Sequence, residues 1–152
     1  MNGPPFRFRL ERVRAVRERS EKLAKQELAD AISRRASTEA DLHAADAHLE
    51  RAQMEHRALV DEAETLGATE LLARQVLLER IEEQRGDHAR ALSQREIEVA
   101  DRDAKLATAA SEHEMLNRLR ERQRSEHERE IATREQGALD EIAAARFGRS
   151  PA

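Results

Sequence analysis

Six histidines are the first residues in this chain with usable chemistry: His43, His48, His56, His88, His113 and His127. An imidazole binds metal or moves a proton near neutral pH. A helical metal site sets two histidines four residues apart, as in H-E-x-x-H. No two histidines here stand at that spacing. His56 and His113 fall on an apolar seam, where a polar residue more often sets register than binds metal. Carboxylates are abundant, but acid–base catalysis needs them held in a concave, water-excluding site. The chain has no Cys nucleophile, no Gly-rich phosphate loop and no G-x-S-x-G elbow. A non-enzymatic protein with no cofactor and no metal is expected.

The arginines are the second candidates. Arg12, Arg14 and Arg17 crowd one end of the chain, and Arg118, Arg120, Arg122, Arg124, Arg129 and Arg134 lie near the other. Such clusters could grip phosphate. Here they interleave with Glu at helical spacing, which reads as a salt-bridged face. Base-stacking aromatics are missing beside them and the net charge is -4, so no nucleic acid partner is expected. Phe6-Arg7-Phe8-Arg9 is the one unusual cluster. Its plain reading is a hydrophobic clasp over a helix end.

What would position these groups is a coiled coil. Leu42, Ala45, Leu49, Ala52, His56, Leu59, Ala63 and Leu66 follow an alternating three-and-four spacing. Past Gly67, Leu71, Leu78, Leu92, Val99 and Leu106 share one column of sevens. That period holds one helix face against another over many turns. With only 2% aromatic and 38% charged residues, the 152-residue chain has little with which to build a globular core. The pattern predicts one all-α domain, an antiparallel two-helix coiled-coil hairpin. Helix 1 is expected over about 8–66 and helix 2 over about 70–146, with flexible ends at 1–5 and 148–152. Pro4 and Pro5 precede the first helix, and Gly148 and Pro151 stop the second. Gly67 is expected just past the first helix, and Thr69 as the N-cap of the second. Leu10, Val13, Val16, Ser20 and Leu23 are read as the first seam. A phase slip near Leu23–Ala24 and a weak stretch at Arg35 follow.

Charge along the chain runs basic, acidic, basic. Folding at Gly67 brings the two basic segments together at the open end. Helix 2 is the longer arm, so residues beyond about Ile131 should lack a partner helix. Ile131, Ala138, Ile142 and Ala145 still form an apolar stripe there. An amphipathic helix with no internal partner predicts an external one. No apolar run approaches the roughly 20 residues of a membrane span. Met1 to Leu10 lacks the apolar core of a secretory signal. The absence of Cys fits a reducing compartment. A cytoplasmic protein is expected.

The chain opens on Phe6-Arg-Phe-Arg-Leu10, followed by Val13-Arg-Ala-Val16-Arg-Glu18, Glu21-Lys22 and the Gly67 break. Gln75-Val-Leu-Leu-Glu-Arg-Ile81, Arg120-Glu-Arg-Gln123 and Asp140-Glu-Ile142 with Phe147 come after it. Taken together, these stretches resemble the FliJ family of flagellar export proteins. The resemblance implies a coiled-coil part of the flagellar type III export machine, and through it flagellum biogenesis, motility and chemotaxis. It implies three partners: the export ATPase, the cytoplasmic domain of the membrane export gate, and export chaperones. It implies a place at the cytoplasmic face of the inner membrane, reached only through those partners. The gate-contacting stripe would be Leu49, Ala52, His56, Leu77, Ile81, Gln84 and His88. The ATPase contact would lie near the ends of the coil: Arg12, Arg14, Arg17, Arg120, Arg122, Arg124, Ile131 and Ile142. The closest rival is the stalk protein of an injectisome. A dimeric tether of continuous helices is another, and the Gly67 break argues against it. A polymerase-channel factor with acids at its tip (Glu62, Glu64 and Glu70) is a third, but no second globular domain follows to dock it.

Overall fold

The computed structural model describes residues 4–62 and 67–148. It contains two helices, α1 over Glu11–Glu62 and α2 over Ala68–Phe147, and no strand among the described residues. The helices pack against each other as the expected all-α hairpin. Ala, Leu, Glu and Arg dominate both, and no Pro falls inside either. The ladder positions Ala63 and Leu66, the acidic Glu64, the stop at Pro151 and most of the expected flexible ends lie outside the described residues.

The connection differs from expectation in one respect. The Gly67 carbonyl accepts from the Glu70 and Leu71 amides at 3.0 and 3.1 Å. Gly67 therefore caps the start of α2, and Thr69 lies inside the first turn. No glycine among the described residues has a positive φ, so Gly67 is not a left-handed terminator of α1.

The chain divides into two compact units: Leu23–Ala107, and Met1–Lys22 with Thr108–Ala152. The boundary after Lys22 coincides with the expected phase slip. In the central unit the inward positions of α1 are Ala24, Leu28, Ala31, Arg35, Thr38, Leu42 and onward through Leu59 in threes and fours. From α2 come Leu78, Ile81, His88, Leu92, Val99 and Leu106. Ile81 is 5% exposed and Ala31 only 1%. Alanine at the seam lets the two backbones approach closely, and burying Ile81 contributes roughly 1.5–3 kcal/mol. Arg102 bonds Glu27 at 2.9 Å, Arg34 bonds Glu98 at 2.6 Å, and Arg85 bonds Asp46 at 2.7 Å. Partner numbers on α2 fall as those on α1 rise, which defines the antiparallel register. Arg35 does sit on the seam, and it reaches Glu39 and Glu96.

The terminal unit is antiparallel as well, and its interface mixes polar groups with buried Ala109 and half-buried Ala15, Leu116 and Leu119. Glu11, Arg14, Glu18 and Glu21 face inward on α1, and the expected seam residues Leu10, Val13, Val16 and Ser20 are exposed. Leu23, first residue of the central unit, is exposed too. This corrects the assignment of the first seam. Hydrogen bonding supplies the reason. Arg14 donates to Asn117 Oδ1 at 3.4 Å, Asn117 Nδ2 to His113 Nε2 at 3.2 Å, and His113 Nδ1 to Glu21 at 2.6 Å. The Arg14–Asn117 and His113–Glu21 bonds of this relay cross the interface, Asn117–His113 lies within α2, and together they place polar groups among the apolar contacts there. Phe8 is buried, Phe6 lies 5.8 Å from the His127 ring, and His127 Nε2 donates to the Pro4 carbonyl at 2.9 Å. The Phe-Arg-Phe-Arg segment is thus a clasp laid along α2, and α1 starts only at Glu11.

Candidate docking site

The terminal unit carries a candidate surface at the end of α2. From Ala132 to Phe147 every residue of α2 is exposed, while Ile131 is half-buried. Leu139, Ile142 and Phe147 expose 61%, 55% and 85% of their surfaces. Arg134, Glu135, Ala138, Leu139 and Ile142 line an open recess of about 430 Å³. The segment remains helical because it has good helix formers and side-chain bonds such as Gln136 to Asp140 at 3.0 Å. Of this stripe, Ile131, Ala138, Ile142 and Ala145 were legible from spacing. Leu139 and Phe147 were not, because they lie to the side of that period.

The arginines at this end separate into two kinds. Arg14 bonds Glu11 at 2.7 Å and approaches Glu18 at 3.6 Å, Arg17 bonds Glu112 at 2.6 Å, and Arg120 approaches Glu11 at 3.5 Å. Arg124 bonds Glu128 at 3.0 Å. Arg12 and Arg122 are exposed and make no ion pair among the described residues. The hydrogen bond from Arg14 lowers the Glu11 pKa below the usual carboxylate range, and the same bond raises that of Arg14. Lys22 lowers Glu18 in the same way. In the central unit, bonds from Arg34 and Arg95 lower Glu98. Arg17–Glu112, Arg120–Glu11 and Arg34–Glu98 cross between the helices, and the other pairs lie within one helix. Arg12 and Arg122 remain available to a partner.

The second expected stripe lies in the central unit and divides by burial. Ile81 is buried, and Leu49, Ala52, His56 and His88 are half-buried on the seam. Leu77 and Gln84 are exposed. Leu72 and Val76, also exposed, extend the accessible part toward the start of α2. His56 Nδ1 is shielded and has no hydrogen-bond partner, as is Nε of Arg74. Among the described residues no group of three or more His, Asp or Glu is arranged to hold a metal ion. No helix is long and apolar enough to cross a membrane among those residues.

Fold and surface together define a class: an all-α coiled-coil hairpin whose distinctive feature is an exposed helix face. The family model described as Flagellar FliJ protein matches residues 6–152, and the chain belongs to that family. No curated protein and no solved structure matches it. Membership makes the chain a component of the flagellar export apparatus.

Proposed function

We infer that this chain is a non-enzymatic stalk and adaptor of the flagellar export apparatus, working at the cytoplasmic face of the inner membrane. Its terminal unit docks on the export ATPase, and its central unit offers one side to the cytoplasmic domain of the export gate. Bridging the two couples ATP turnover to export and supports delivery of substrates by their chaperones. One observation carries this reading: an apolar face on α2 past Ile131 remains uncovered, in the same unit as Arg12 and Arg122, which make no ion pair among the described residues. Apolar contact would supply affinity there. Arg12 and Arg122 would set orientation and association rate against an acidic surface. At the gate-facing stripe, Leu77 and Gln84 make the contact, and Leu49, Ala52, His56, Ile81 and His88 hold the helices that present them.

The test is co-purification with the export ATPase encoded by the same organism. Arg12→Glu combined with Arg122→Glu, or Ile142→Asp alone, should abolish capture while helicity is unchanged. Capture at the wild-type level by both variants would sink the docking reading. Leu77→Asp should leave ATPase capture intact and weaken binding to the gate domain.

A further inference from the structure

The terminal unit leaves two apolar stripes uncovered, and they differ in charge. The first is Leu10, just before α1, with Val13 and Val16 on it, the last of them 61% exposed. Exposed Arg9, Arg12 and Arg19 surround it and make no ion pair among the described residues. The second is Ala138, Leu139 and Ile142 on α2, edged by Glu135 and Glu141. Those two carboxylates also make no ion pair among the described residues, whereas neighbouring Arg134 approaches Glu130 at 3.8 Å. The stripes cannot meet within one chain. The Arg120–Glu11 pair sets the start of the first stripe level with residue 120, and from there α2 runs unbroken away from it to Phe147.

We propose that a second copy of this chain covers both stripes. The α2 end of each copy lies on the α1 stripe of the other, about a two-fold axis. Between Glu121 and Ala132, α2 advances about 16 Å at 1.5 Å per residue. Two copies facing end to end set that stretch side by side and antiparallel. Each α2 end then continues along the partner's α1, with Glu135 and Glu141 facing Arg12 and Arg19. The arrangement is isologous, so it forms two equivalent contacts and closes. Two contacts matter because one pair of four-turn helices is marginal alone in water. Pairing one α2 end with another would instead bring like acidic edges together, which electrostatics disfavours. The dimer needs no export partner and stands apart from the docking reading. It would also mask the surface offered to the ATPase, so that ATPase and second copy compete.

The test uses the full chain and two charge-reversed variants, measured by light scattering across a concentration series. One carries Arg12→Glu and Arg19→Glu, and the other Glu135→Arg and Glu141→Arg. All four side chains are exposed, so each variant should keep its helicity, with circular dichroism as the check. The wild-type mass should rise from 17.3 kDa toward twice that value with concentration. Each variant alone should remain monomeric, with dimer affinity reduced at least about ten-fold. An equimolar mixture of the two variants should recover the dimer, since both contacts then pair opposite charges. A wild type that is monomeric at every concentration overturns the proposal. So does dimerisation of either variant alone at wild-type strength, or failure of the mixture to recover.

Discussion

His113 Nδ1 donates to the Glu21 carboxylate at 2.6 Å, with the two side chains only 15% and 16% exposed. The pair crosses the helix interface of the terminal unit at a level where a coiled coil ordinarily carries an apolar layer. Its shielding makes it the strongest polar specification of register in that unit. His113→Ala removes the cross-helix bond to Glu21 and the acceptor of Asn117 Nδ2, and should cost about 1 kcal/mol. A double-mutant cycle with Glu21→Gln, followed by urea unfolding, should return a coupling of about 1 kcal/mol. Additive single effects would show that the pair contributes nothing beyond packing.

Arg12 and Arg14 differ by two residues and should differ sharply in consequence. Arg14 has an 18% exposed side chain bonded to Glu11, and reversing its charge sets two carboxylates together. Arg14→Glu should lower the melting temperature, whereas Arg12→Glu should leave it nearly unchanged. Thermal melts of the two variants check this directly.

Acid should loosen the hairpin through carboxylates that are paired in the fold. Glu11, Glu18 and Glu98 all have pKa values lowered by hydrogen bonds from Arg14, Lys22 and Arg34 respectively. A lowered folded-state pKa means that the unfolded chain takes up protons first as pH falls. The stabilisation is present at neutral pH and above the ordinary carboxylate value of 4.5, and is lost as pH falls through the lower folded-state values. Urea midpoints should therefore fall between about pH 5 and pH 3. Combining Glu11→Gln with Glu98→Gln should flatten that dependence.

His56 occupies a seam position with its Nδ1 shielded and unsatisfied. His56→Leu removes that burden and adds apolar contact to a ladder already built from Leu49, Ala52 and Leu59. Stability should rise by about 1 kcal/mol, which is roughly 2–4 °C in Tm for a chain of this size.

Gly86 and Gly137 both lie inside α2. A Cβ at Gly137 would meet nothing within 4 Å, and one at Gly86 would meet only the Arg90 guanidinium at 3.5 Å. Either Gly→Ala change should stabilise by about 0.5–1 kcal/mol, read by helicity and thermal melting. At Gly137 the gain should appear first as slower amide exchange in the exposed end of α2.

Much of this molecule was legible from residue types alone. The central ladder from Leu28 to Leu59 and the column from Leu78 to Leu106 place the seam because apolar side chains recur there every three or four residues. The stripe past Ile131 was legible for the same reason, and from the unequal lengths of the two arms. The terminal interface was not. Leu10, Val13 and Val16 form an apolar period, yet they face outward, and Glu11, Arg14 and Glu21 face inward. Periodicity detects apolar faces, and it is blind to a face held by a relay of hydrogen bonds.

The same limit applied to the candidate contacts. Arg12, Arg14, Arg17, Arg120, Arg122 and Arg124 are alike as residues in a sequence, and only partner distances separate the bonded ones from the free. The stripe from Leu77 to His88 was also one pattern on paper, and burial divided it into seam and surface.

By itself, then, the sequence determined two helices, their break at Gly67, their antiparallel pairing and the family to which they belong. These depend on local propensity and on a repeating apolar period, which are properties of the chain's order. Tertiary structure alone decided which face of α1 turns inward before Leu23 and which arginines are left without partners. That choice rests on cross-helix hydrogen bonds such as His113 to Glu21, between residues far apart in sequence, and no local pattern encodes it.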